Sequence, residues 1–255
     1  MRPRTAQTVD RLVLLVATVG LAARQYGAPS RAFWDDIPID QGYVVITLTL
    51  TIGLFGALTP FHTVSLRRQA KRKDLLRQQI LSHFGRLIAI ALRSNAGIDP
   101  GDLGLHVWRV GRMIRPPWRP RLIRLATYRL GSTPATRTFK PTRGMGVVGL
   151  SWKRNEETSV DVTALSARLT NSKAFADYRA QQGDDAVMGL SWEDFNRVKH
   201  RGAVFASPIR DGGGEFVGCV SVDASHGYSS LDTPELWHEI NALCAEIGDE
   251  NLPYL

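Results

Sequence analysis

The chain has little cysteine: Cys219 and Cys244 are its 2 thiols. Two cysteines cannot build a disulfide framework, and with no C-x-x-C spacing they cannot form a cysteine-based zinc site. The histidines show no H-E-x-x-H or other paired metal spacing, and no serine sits in a G-x-S-x-G elbow. Metal-assisted hydrolysis and elbow-type acyl transfer therefore leave no signature. Neither a metal nor a cofactor is expected, and the chain does not read as an enzyme. A length of 255 residues excludes a large multidomain machine, and 44% hydrophobic with 22% charged residues excludes a disordered chain.

Charge is missing from one stretch in particular. Residues 43–64 contain no charged side chain, long enough to span hydrocarbon. A shorter apolar run at residues 12–23 is extended to Pro29 at the cost of a single arginine, Arg24, which can snorkel to an interface. The first run also fits the apolar core of a signal peptide behind Arg2, Arg4 and Arg11, though its cleavage pattern is poor. The expectation is a two-helix transmembrane hairpin over residues 1–66. Basic residues flank it on both outer sides and Asp35, Asp36 and Asp40 lie between, which places both termini in the cytoplasm at the cell (inner) membrane.

Positive charge is distributed unevenly. Residues 1–74 hold 10 Lys/Arg and 5 Asp/Glu, residues 75–150 hold 13 and 2, and residues 151–255 hold 9 and 17. The middle of the chain thus presents a basic face to an anionic surface. Its sharpest feature is RMIRPPWRPR, in which Arg112, Arg115, Arg119 and Arg121 alternate with prolines around Trp118. A solvated hairpin tip is one reading and contact with nucleic acid or a phosphorylated ligand another; the leading functional one is contact with anionic lipid, since each basic residue near such a surface contributes about 1 kcal/mol.

After a basic linker at residues 67–74, Asp74 is placed to cap a helix through Ser94, with Leu76, Ile80, Phe84, Leu87, Ile88 and Ala91 as its apolar stripe. Residues 105–110 and 122–130 read as neighbouring strands. Helices are expected at 173–182 and 191–199, and strands at 203–209 and 215–223 around the Asp211–Gly214 turn. A terminal helix begins at Asp232 or Thr233, with Pro234 in its first turn.

The helix leading into LGLHVWRV, the segment GMGVVGLSWKRNEETSVDV, and GAVFASPIRDGGGEFVGCVSVDAS with its terminal helix together resemble a GAF domain, over roughly residues 75–249. The resemblance implies an α+β fold with a GAF-like antiparallel sheet flanked by helices. It also implies a short glycine-flanked helix in the middle segment and a central hairpin that floors a ligand pocket. On that basis Trp152, Phe175, Tyr178, Phe205 and Ser207 are candidate ligand contacts, each also suited to the core. Some GAF domains reduce free methionine sulfoxide with clustered cysteines; the two here read as small buried residues instead.

Two motifs dissolve on inspection. Gly144, Gly146 and Gly149 match G-x-G-x-x-G, but no apolar strand precedes them and no acid follows at the required distance, so a turn explains them. Asn171, Lys173, Phe175 and Asp177 have residue types of the cyclic-nucleotide GAF pattern without its spacing. The functional expectation is a membrane-anchored sensor, residues 75–255 forming the sensory domain, that binds a small molecule and signals by conformational change. The alternative is a nucleotide-sensing membrane effector of a bacterial defence system. Expected partners are the bilayer, the ligand and a second copy of the chain, with no specific nucleic acid.

Overall fold

The structure is a computed structural model that describes residues 3–36, 41–94, 97–111, 120–131, 139–252 and 255. It divides into two compact units, Met1–Arg72 and Lys73–Leu255.

The first unit contains α1 (Pro3–Gln25), the short α2 (Arg31–Asp35) and the beginning of α3 (Gln41–Arg93). Small residues let α1 approach α3: Ala17 is buried, and a Cβ at Gly20 would lie against Leu48. The expected transmembrane hairpin is not supported in that form. Among the described residues no helix is long and apolar enough to cross a membrane. Nor does the second helix stop near residue 64, for α3 runs without a break from Gln41 to Arg93, 53 residues in all. The sequence SLRRQAKRKDLLRQQ contains neither glycine nor proline and is rich in strong helix formers, so nothing ends the helix there. Asp74, expected as a cap, lies inside it.

The second unit is built on an antiparallel sheet of five strands in the order β2-β1-β5-β4-β3: β1 (Gly104–Gly111), β2 (Arg121–Arg129), β3 (Thr158–Asp161), β4 (Ala203–Arg210) and β5 (Phe216–Ala224). Alternation along the strands divides two cores. One face turns Leu105, Val107, Phe205, Val220 and Val222 toward the C-terminal part of α3 and toward α9 (Pro234–Asn251). Thr233 caps α9 by accepting from the Leu236 N–H, with Pro234 in the first turn.

The other face carries Trp108, Ala206 and Cys219. It is covered by α4 (Gly146–Arg154), α5 (Val162–Arg168), α6 (Ser172–Gln182) and α7 (Trp192–Val198). The short α8 (Tyr228–Leu231) connects β5 to α9. Between β2 and α6, the elements α4, β3 and α5 follow one another. The glycine-flanked helix leading to a strand, implied by the family resemblance, is α4 followed by β3.

Candidate functional site

Three cross-strand rows cross the helix-covered face of β2, β1 and β5. The backbone register places Arg129, Gly104 and Asp223 in one row, Thr127, His106 and Ser221 in the next, and Arg124, Trp108 and Cys219 in the third. A bulge between Val107 and Trp108 shifts β2 by one residue, so Arg124 shares this face with Thr127 and Arg129 rather than with Ala126 and Tyr128. Strand parity together with this bulge therefore assembles a polar layer beneath the helices.

Asp223 is the hub and is only 3% exposed. Its Oδ1 accepts from His106 Nε2 at 2.6 Å and lies 3.2 Å from Arg201 Nη1, while Oδ2 accepts from Arg129 Nη2. Because a carboxylate only accepts, the His106 proton sits on Nε2. His106 Nδ1 is 3.1 Å from the Thr127 hydroxyl, and the Trp108 indole N–H donates to Ser221 Oγ at 2.9 Å. The Arg124 guanidinium lies over the Trp108 ring, 4.6 Å from its centroid. Gly104 keeps the first row open, since a Cβ there would meet Arg129 Nη2 at 2.4 Å and Asp223 Oδ1 at 2.7 Å.

Burial alone would raise the Asp223 carboxyl. The His106 hydrogen bond and the charges of Arg201 and Arg129 outweigh that cost and hold it below the usual carboxylate range. Burial lowers His106 despite the bond it donates to Asp223, and the charges of Arg201 and Arg124 lower it further, so the imidazole is kept neutral. The layer is a carboxylate ringed by guanidiniums and bonded to an uncharged histidine.

A cavity of about 50 Å³ opens against this layer. Its polar end is Arg124, Arg201, Asp223, Ser221 and the Trp108 ring. Its walls are apolar: Val147 and Val148 of α4, Val162 of α5, Met188, Leu190, Val198, Val204 and Phe139. The hairpin of β4 and β5 contributes Val204, Ser221 and Asp223 to its lining.

None of the five ligand contacts expected from the sequence lines this cavity. Phe205 stacks on Tyr228 on the opposite face of the sheet, and Ser207 donates to Asn241 of α9. Trp152 stacks on Phe216, and Phe175 packs between Trp192 and Phe195 in the second core, where Tyr178 joins them. Of the expected anionic-surface residues, Arg112, Arg115, Trp118 and Arg119 lie outside the described residues; Arg121 opens β2 opposite Gly111. Gly144, Gly146 and Gly149 shape the turn into α4, and the backbone at Gly146 reaches the cavity wall. The polar layer itself had a sequence signal: GCVSVDA alternates Ser221 and Asp223 with valines in a strand otherwise suited to burial.

The cysteines do not meet as a redox pair in one core. Cys219 belongs to the helix-covered face and Cys244 to the α3–α9 face, where its thiol donates to Ser207 O. Burial raises both thiols, Cys244 to about 12, so neither is a thiolate at neutral pH. Among the described residues no group of three His, Cys, Asp or Glu side chains is placed to hold a metal.

No protein-family model matches the chain, and no curated protein matches it. Solved structures similar to it include a type II free methionine-R-sulfoxide reductase from Thermoplasma acidophilum, at 14% identity and a TM-score of 0.40 over 72% of this chain and 94% of that one. They also include a protein assigned as a GAF sensor from Burkholderia vietnamiensis, at 12% identity and a TM-score of 0.37 over 73% and 97%. A third is the GAF domain of an Acinetobacter phosphoenolpyruvate-protein phosphotransferase, at 13% identity and a TM-score of 0.35 over 71% and 90%. GAF domains are thus among the structures this chain is similar to; at these identities and scores they assign it neither a ligand nor an activity.

Proposed function

We propose that residues 73–255 form a GAF-like sensory domain that binds a small molecule in the cavity between the sheet and α4, and that the chain signals by conformational change. The observation that carries this reading is the cavity itself: apolar walls converging on a polar end in which Asp223 holds Arg201 and the Trp108 ring lies under Arg124. Ser221 is tied to Trp108 and both thiols are protonated, which favours recognition over bond-making. A volume of about 50 Å³, room for roughly three to five waters, favours a small ligand over a nucleotide. The α3 helix, which packs on the sheet and continues into the first unit, is the covalent route for output.

Val148 offers the test, as a buried α4 side chain on the cavity wall. A ligand at 100 times its Kd stabilises by about 2.7 kcal/mol, a rise in melting temperature of roughly 5–10 °C for a domain of this size. A screen of small metabolites by thermal shift should find such a compound for the wild type, and Val148→Phe should abolish its effect while still melting cooperatively. Equal shifts in both proteins would remove the cavity from consideration.

We further propose that the first unit associates with a bilayer at the inner membrane, its basic flanks cytoplasmic. Leu12, Leu15, Val16 and Val19 form one exposed apolar face of α1, and Ile46, Leu50 and Leu54 form another on α3. Stripes of this kind left open to water mark a protein or membrane contact. The full chain should remain in the membrane pellet after carbonate extraction; complete release to the supernatant counts against a bilayer-embedded unit.

A further inference from the structure

We infer that the cavity selects a short-chain monocarboxylate, its carboxylate gripped by Arg124 and Arg201 and its aliphatic tail lying among Val147, Val148, Val162 and Val198. This rests on the small-molecule reading above and adds the ligand's charge and chemical class.

The argument begins with charge. Among the described lining residues the ionised side chains are Arg124, Arg201 and the single acid Asp223, with Arg129 behind them in the same layer. Both oxygens of Asp223 already accept hydrogen bonds from inside the protein. An incoming ammonium would therefore meet two guanidiniums and a carboxylate already engaged, whereas an incoming carboxylate complements the positive end. Burying an anion is costly unless it is paired, and guanidinium forks are the side chains best suited to pair it. Arg124 is pre-oriented by lying over the Trp108 ring, and Arg201 by its contact with Asp223.

Size and wall chemistry restrict the remainder. A volume of about 50 Å³ suits a short acid rather than a sugar phosphate or nucleotide. Among the described lining residues, the side chains away from the arginines are valines, leucine, methionine and phenylalanine, which present no hydrogen-bonding group to a polar tail. An α-ammonium group would sit beside the carboxylate and face the same arginines, so the site discriminates against the corresponding amino acid.

Isothermal titration of the full chain with 3-methylbutanoate, its neutral isostere 3-methylbutanamide, and leucine tests this. The acid should bind, with the amide and leucine weaker by about 10-fold or more, the amount expected from losing a charge-assisted hydrogen bond. Arg124→Gln should weaken the acid by a similar factor and leave the amide unchanged. Arg201→Lys, which keeps the charge but loses the fork, should weaken it as well and guards against a fold defect in the first variant.

If the amide binds as tightly as the acid, or if both variants retain the acid's affinity, the anion assignment is overturned while the cavity reading stands. No binding by the acid also overturns it. If, in addition, no compound of the metabolite screen is sensitive to Val148→Phe, the small-molecule reading falls with it.

Discussion

Asp223→Ala is expected to cost the domain about 3–5 kcal/mol, the usual consequence of removing one partner from a buried ion pair. The loss is large because Arg129 and Arg201, each with side chains only 12% exposed, would be left in the layer without their carboxylate. His106 would lose the acceptor for its Nε2 proton as well. For a domain of this size the change corresponds to roughly 6–20 °C in melting temperature. Urea titration at neutral pH measures it directly. A loss below about 1 kcal/mol, the range of exposed ion pairs, would mean that water enters the layer and screens it.

The same network sets the response to acid, and two groups contribute with the same sign. His106 has a folded pKa below the unfolded value of about 6.5, so between the two the unfolded chain takes up a proton that the folded one refuses. Stability therefore falls as pH drops below about 6.5 and levels off once the folded imidazole titrates. Asp223 is also depressed, which adds stability above the unfolded carboxyl value of about 3.9 and loses it as pH falls through the folded pKa. His200 is lowered by burial and adds to the first step. In Asp223→Ala the second step should shrink, and the first should change with it because His106 has lost its partner.

Elements with strong periodicity were legible in the sequence. The strands from Gly104 and Arg121, the hairpin at Asp211–Gly214 and the capped helix at Pro234 follow from alternation, turn residues and a Thr-Pro start. Element ends were harder to read. Asp74 has the right residue type for a cap, but capping needs a chain that is non-helical just before it, and the preceding Arg/Lys run prefers helix.

Phe205 and Ser207 lie away from the cavity for a reason of parity. Phe205 follows Val204 and Ser207 follows Ala206, and a one-residue offset in a strand exchanges one face of the sheet for the other. On β2 the bulge that brings Thr127 and Arg129 into line with Arg124 leaves no mark in composition. The acid, the histidine and the arginines come from β1, β2, β5 and the turn before β4. Only the folded register unites them.

Gly202→Ala tests that register at its tightest point, with an expected loss of about 2–6 kcal/mol from a strained backbone and a steric overlap together. Gly202 has φ 62° and ψ −78°, a conformation that residues bearing a Cβ rarely adopt. A Cβ there would lie 1.9 Å from Ser225 O and 2.2 Å from Ser225 C. These are backbone atoms, so no rotamer change can relieve the contact. The Gly202 carbonyl also accepts from the Thr163 N–H at 2.9 Å, which fixes the start of β4 against α5. Arg201 precedes it directly, so a shift that accommodates the methyl group also moves the guanidinium away from Asp223 and the cavity. The variant should unfold at markedly lower urea concentration and, where still folded, bind cavity ligands more weakly. Gly212→Ala is the matched control, because a Cβ there meets nothing within 4 Å, and it should change stability by no more than about 0.5 kcal/mol. If the two variants proved equally stable, the turn before β4 would have to be soft enough to relax, and the rigid placement of Arg201 on which the anion-binding argument depends would be lost.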